Sequence, residues 1–160
     1  MDEKTGEIVA AVFSSNDVGD SEVFDDLLCE LPEKIKQVSG DGAYDAHQVY
    51  ESIRKRGAKA SIPPRAGAKI SQHGNCATPP LARDENLRQI RKEGPKRWKE
   101  ESGYHRRSLA QTSIFRLKTI FGGKLRRRNI DNQGRECLLQ CAALNRMTHL
   151  GMPDSYLVEI

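Results

Sequence analysis

Residues 104–125, YHRRSLAQTSIFRLKTIFGGKL, constrain the fold more than any other stretch of the chain. Ala110, Ile114, Leu117 and Phe121 recur at i, i+4, i+7 and i+11. An apolar residue at every third or fourth position marks a helix with one face against a core. The spacing predicts one long amphipathic helix, Tyr104 to Leu125, closed by the Gly122-Gly123 stop. At about 100° per residue, Tyr104, Arg107, Gln111 and Lys118 fall within roughly 60° of one another, on a separate polar line. A helix with one face on a core and a row of hydrogen-bonding groups on another is suited to hold a ligand.

The rest of the chain predicts what that helix packs against. GEIVAAVFSS, Gly6–Ser15, is rich in β-formers and reads as a strand. Asp20 can cap a helix with the stripe Phe24, Leu27, Leu28 and Leu31, stopped by Pro32. Ile35–Gly40 reads as a short strand running into Asp41-Gly42. An Asp at the carboxyl end of a strand sits where ligands bind in α/β sheets, so Asp41 is a metal ligand or a turn residue. Asp45 is placed to cap a helix from Ala46 to Arg56, with Gly57 as its terminator. His47 within it reads as a surface or packing residue. Ala58–Pro64 is a further strand, and residues 65–80 form a loop longer than compact domains usually carry. His73 and Cys76 lie in that loop without further metal ligands.

Short helices follow at Arg83–Glu93 and Pro95–Ser102, the second anchored by Trp98, and Gly103 breaks the pattern. Asp131 or Asn132 can cap a last helix with the stripe Cys137, Cys141, Leu144 and Thr148, ended by Gly151 and Pro153. Cys137 and Cys141 are one turn apart, and no second ligand pair follows at zinc spacing. They read as core thiols. The order β-α-β-α-β followed by helices is an α/β chain with a helical C-terminal part.

Charge divides the chain. Residues 1–50 carry 3 basic and 12 acidic side chains, whereas residues 51–160 carry 23 basic and 10 acidic ones. The basic part is a candidate phosphate-binding surface, or else a solvated face without a partner. Clusters at Arg88-Arg91-Lys92, Lys96-Arg97-Lys99 and Arg126-Arg127-Arg128 favour nucleic acid. No run approaches the roughly 18 apolar residues of a membrane span, and no signal peptide opens the chain. The expected setting is cytoplasmic, with no membrane partner.

Tyr104, Arg107 and position 111 match a Tyr-x-x-Arg-x-x-x-Glu signature, with GYHRRSLA before it and FGGKL after it. Together with GDGAYD, Gly40–Asp45, the chain resembles bacterial insertion-sequence DDE transposases. The resemblance implies an α/β, ribonuclease-H-like fold in truncated form, a short mixed sheet with packed helices and a helical C-terminal part. It implies a partial catalytic domain over residues 1–160. Strands, helices and the second Asp fall in 1–64, an insertion loop in 65–80, the signature helix in 81–150 and a tail in 151–160.

In such enzymes three carboxylates hold two divalent cations, usually Mg2+. The pair activates the attacking oxygen and stabilises the leaving one in phosphodiester cleavage and strand transfer. Asp41 matches the second carboxylate and is the one expected metal ligand. Gln111 stands where the family has its catalytic Glu, and a neutral amide brings no charge to a cation. The family's first Asp lies on a strand upstream of a segment like GEIVAA, so the chain is expected to start after it. Asp2 and Glu3 read as a turn. Glu100 is no substitute, since eleven residues of continuous helix would set it roughly 16 Å from Gln111.

Tyr104, Arg107, Lys118, Arg126, Arg127 and Arg128 are the expected DNA contacts. The implied partner is double-stranded DNA at transposon ends, with full-length transposase or a second copy of the chain as a further one. The expected protein is a truncated transposase impaired in cleavage, or alternatively a non-catalytic DNA-binding or transposase-interacting regulator.

Overall fold

The computed structural model describes residues 1–32, 34–72, 77 and 79–151. His73, Cys76 and Pro153 therefore lie outside the described residues. Two compact units are present. One is Ser14–Ser108; the other joins Met1–Phe13 to the chain from residue 109 on.

The Ser14–Ser108 unit is built on a β-α-β element. Strand β1 (Gln37–Ser39) leads through a 3-10 turn (Gly42–Tyr44) into helix α2 (His47–Lys55), and strand β2 (Lys59–Ser61) returns parallel to β1. The register pairs Gln37 with Lys59, Val38 with Ala60 and Ser39 with Ser61. Among the described residues this two-stranded parallel sheet is the whole sheet. The expected mixed sheet does not form.

Helix α2 turns Val49, Tyr50 and Ile53 inward, onto Ala60 and Ile62 from the β2 side and Phe24 and Leu28 of helix α1 (Phe24–Cys29). Seven side chains removed from water make this the main core. Gly57, at φ +65°, ends the helix in the left-handed conformation that glycine adopts without strain.

The capping assignments need correction. Val23, not Asp20, precedes α1, and no side chain caps it. Helix α1 stops at Cys29, three residues before Pro32, and Arg56 meets carbonyls at and just beyond its C-terminal end. That guanidinium donates to Leu28 O at 2.8 Å and to Leu31 O at 3.3 Å. A cation at a helix C-terminus also opposes the macrodipole there. Likewise Asp45 does not cap α2; Ala46 is the residue before the helix, and Asp45 is buried.

Helices α3 (Ala82–Glu93) and α4 (Pro95–Glu101) pack on each other around Trp98, which is 1% exposed. The Trp98 indole N–H donates to Asn86 Oδ1 at 3.3 Å, so its polar edge is satisfied. The loop between β2 and α3 is held by side chains. Asp84 is fully buried and accepts N–H bonds from Ser71 at 3.0 Å and Gln72 at 2.7 Å.

The second unit contains helices α5 (Ser108–Phe121) and α6 (Ile130–Leu150). Gly6–Ser15 is not a strand. Among the described residues its segment in this unit has no strand beside it, and Asn145 of α6 takes that place. The Asn145 amide accepts from Ile8 N at 2.8 Å and donates to Ile8 O at 2.9 Å, copying both bonds of a ladder. Helix α6 buries Cys141 and Leu144, with Cys137 and Thr148 half-buried, as the stripe predicts. Burial, with the neighbouring Cys137 thiol, pushes the Cys141 pKa up. Asn129, not Asp131 or Asn132, caps α6, its Oδ1 accepting from Asp131 N at 2.8 Å.

The long helix expected over Tyr104–Leu125 is shorter. Tyr104–Arg107 is a 3-10 turn, and α5 begins at Ser108 and ends at Phe121, before Gly122. Its stripe keeps Ala110, Leu117 and Phe121 but takes Ser113 in place of Ile114. Ser113 is the buried position, whereas Ile114 is 53% exposed.

Candidate nucleic-acid interface

Asp41 follows β1, at the carboxyl end of the strand. Its backbone is extended, and its Oδ1 accepts from Ala43 N at 3.0 Å, capping the 3-10 turn. Gly40 before it permits the fold-back: a Cβ there would lie 3.0 Å from the Tyr44 ring. Tyr44 in turn packs edge-on against Phe24 with centroids 5.7 Å apart. Burial raises its hydroxyl pKa, and the charges of Asp20 and Asp41 add to that.

The turn is clamped from outside by Arg65. Its Nε donates to Gly42 O and its Nη2 to Ala43 O, each at 2.9 Å. Arg65 N donates to Asp45 Oδ2 at 2.8 Å. Asp45, with 1% of its side chain exposed, receives Arg83 as a forked pair, Nε to Oδ1 at 2.8 Å and Nη2 to Oδ2 at 3.2 Å. These bonds hold the Arg83 guanidinium more firmly protonated than usual. Arg65, Asp45 and Arg83 thus fix the backbone that presents Asp41. No local pattern announces the arrangement, because Arg83 is 38 residues from Asp45.

A second element meets the same strand. Gln37 of β1 donates from Nε2 to Ser102 O at 3.0 Å, which seats the chain leaving α4 beside the sheet. Gly103, at φ +69°, then turns it into Tyr104–Arg107. In a 3-10 turn residues i and i+3 eclipse. Arg107 accordingly lies over the Tyr104 ring, its Cζ 5.4 Å from the centroid. Tyr104 stacks on Trp98 at 5.8 Å, and Lys99 Nζ also lies 5.7 Å from the Tyr104 centroid. Arg107 Nη1 is 3.6 Å from Asp41 Oδ2.

The structure therefore brings Asp41, Tyr104 and Arg107 together and adds Lys99, which the sequence offers only as one member of a basic cluster. Gln111 and Lys118 are exposed on α5, in the other unit, so the four-residue polar line on one helix does not exist.

Arg126, Arg127 and Arg128 are exposed in the loop before α6. Their backbone is fixed by Glu136, which accepts from Arg126 N at 3.0 Å and Arg127 N at 3.0 Å. Gln133 Nε2 donates to Arg127 O at 2.8 Å. With the main chain pinned, three guanidinium groups are left toward solvent, where a phosphate backbone can be met.

The donor set at Asp41 does not fit a magnesium seat. Mg2+ requires several hard oxygen ligands. Asp41 offers one carboxylate, one oxygen bonded to Ala43 N and the other beside a guanidinium. Among the described residues no group of three His, Cys, Asp or Glu side chains is placed to hold a metal ion.

These features define an α/β protein that offers arginine and lysine groups at a strand end and on an arginine loop. Residues 1–146 match the family described as the transposase DDE domain, and the chain belongs to it. Transposases of this family act on DNA, in DNA transposition, typically with divalent metal. No solved structure matches the chain. No helix among the described residues is long and apolar enough to cross a membrane.

Proposed function

We propose that this chain is an insertion-sequence transposase relative that binds double-stranded DNA at transposon ends without cleaving it. Asp41 takes the position of the second catalytic carboxylate and Gln111 that of the third, in a ribonuclease-H-like domain. The observation that carries the reading is the chemistry of these two positions. Gln111 brings no charge, and the Asp41 carboxylate faces Arg107 rather than other acids. Two cations need more carboxylate than that to stay bound beside a phosphodiester.

DNA binding is assigned to Tyr104 and Arg107 in one unit and to Lys118, Arg126, Arg127 and Arg128 in the other. Each cation can neutralise one backbone phosphate and release its counterion, so binding is salt-dependent. Such a protein competes with an active transposase for ends, or joins it on them. The α-after-β placement of Asp41, at the carboxyl end of a parallel strand, supports the family fold.

The test is an end-labelled transposon-end duplex incubated with the whole chain and Mg2+ or Mn2+. The expected result is retarded but intact DNA, with retention lost as salt rises. Strand cleavage that disappears in Asp41→Ala overturns the reading.

A further inference from the structure

Two of the carboxylate–guanidinium pairs in the Ser14–Ser108 unit are of opposite character. Asp45–Arg83 is a lock, with close forked bonds and a carboxylate shut off from water. Asp41–Arg107 is open. Asp41 is 48% exposed and Arg107 24%, and their nearest atoms are 3.6 Å apart. An exposed pair at that separation is held weakly and is readily exchanged for another partner.

Arg107 is nonetheless not loose. Its guanidinium lies over Tyr104, which rests on the buried Trp98, and Lys99 lies near the same ring. Two cations are thus kept near one ring, while Asp41 is the one acidic side chain in ion-pair contact with Arg107 among the described residues. A phosphate oxygen arriving at Arg107 meets a preorganised donor whose present partner costs little to displace.

We propose that Asp41 acts as a removable counter-ion, holding Arg107 in check until a phosphate group takes its place at the guanidinium. Lys99, whose ammonium lies near the same ring, is the second cation of the phosphate site. The carboxylate that the family devotes to metal is here a brake on anion binding. The inference deepens the DNA-binding reading and rests on it for the identity of the phosphate, which a free phosphate compound can replace in the test.

The test uses the whole chain, Asp41→Asn, Arg107→Gln and the double variant. Asparagine keeps an oxygen for Ala43 N, so the turn survives. Binding of a transposon-end duplex is read by fluorescence anisotropy across a salt series. Inorganic pyrophosphate is titrated separately while the Arg107 Nε–H resonance is followed, assigned by its loss in Arg107→Gln.

Asp41→Asn is expected to bind both ligands about two- to fivefold more tightly at low salt, the range of an exposed ion pair. The gain should vanish in the double variant, which separates release of Arg107 from a general change of net charge. Lys99→Ala should weaken pyrophosphate binding. Equal affinities for wild type and Asp41→Asn, or a gain that persists without Arg107, overturn the proposal. Loss of duplex binding with the pyrophosphate difference intact sinks the DNA reading and upholds the exchange.

Discussion

Replacing Arg83 with methionine should destabilise the Ser14–Ser108 unit heavily, because it strands a buried charge. Asp45 has 1% of its side chain exposed and loses both guanidinium bonds, at 2.8 and 3.2 Å, while the bond from Arg65 N remains. Breaking a buried ion pair costs about 3–5 kcal/mol. Arg83 is 20% exposed, so some water reaches the gap, and the lower end, about 3 kcal/mol, is expected.

Trp98 reports the loss well. It is the chain's one tryptophan, is buried, and lies in the same unit. With a urea slope of about 1–2 kcal/mol per molar, the fluorescence midpoint should fall by about 2 M. The double variant Arg83→Met, Asp45→Asn should recover about 1–2 kcal/mol, since no unpaired charge remains. A single variant within about 1 kcal/mol of wild type refutes the reasoning, for that is how a solvated surface pair behaves.

Three further outcomes follow from the structure. Replacing Arg126, Arg127 and Arg128 together with alanine should lower the salt slope of duplex binding by up to about 0.9 for each phosphate no longer neutralised. Circular dichroism should be unchanged, because Glu136 binds that loop through backbone N–H groups. Asn145→Ala should speed hydrogen exchange at the Ile8 amide about tenfold, the worth of one hydrogen bond. In the native chain iodoacetamide should label exposed Cys29 well before buried Cys141, whose thiol is pushed toward its protonated form, as peptide mass spectrometry will read.

Local rules are enough for the elements whose neighbours in sequence are also their neighbours in space. The strands near Val38 and Ala60, the helix ended by Gly57, the Trp98 anchor and the α6 stripe all follow from period, apolarity and glycine placement. The misses have physical causes. The stripes Ala110-Ile114-Leu117-Phe121 and Ala110-Ser113-Leu117-Phe121 share three members, and hydrophobicity favours the wrong one. Periodicity gives Tyr104 and Arg107 α-helical angles, yet Gly103 starts a 3-10 turn that eclipses them. Gly6–Ser15 has strand composition, but a strand needs a paired neighbour, and an asparagine side chain supplies the bonds at Ile8 instead.

Of the candidate site, Asp41 and Arg107 are legible as separate motifs. Their pairing is not, nor is the clamp of Arg65, Asp45 and Arg83 around the Asp41 turn, since those bonds span 20 to 38 residues. Asp45 illustrates the limit. A helix-capping rule reads only the next few residues, whereas its real partner lies two elements away.

The role of this site depends on what the Asp41 carboxylate binds. Manganese titrated into the whole chain, followed by electron paramagnetic resonance against Asp41→Ala, measures this directly. The expected result is weak manganese uptake that is the same with and without the Asp41 carboxylate. Tight, micromolar binding that Asp41→Ala abolishes contradicts the account.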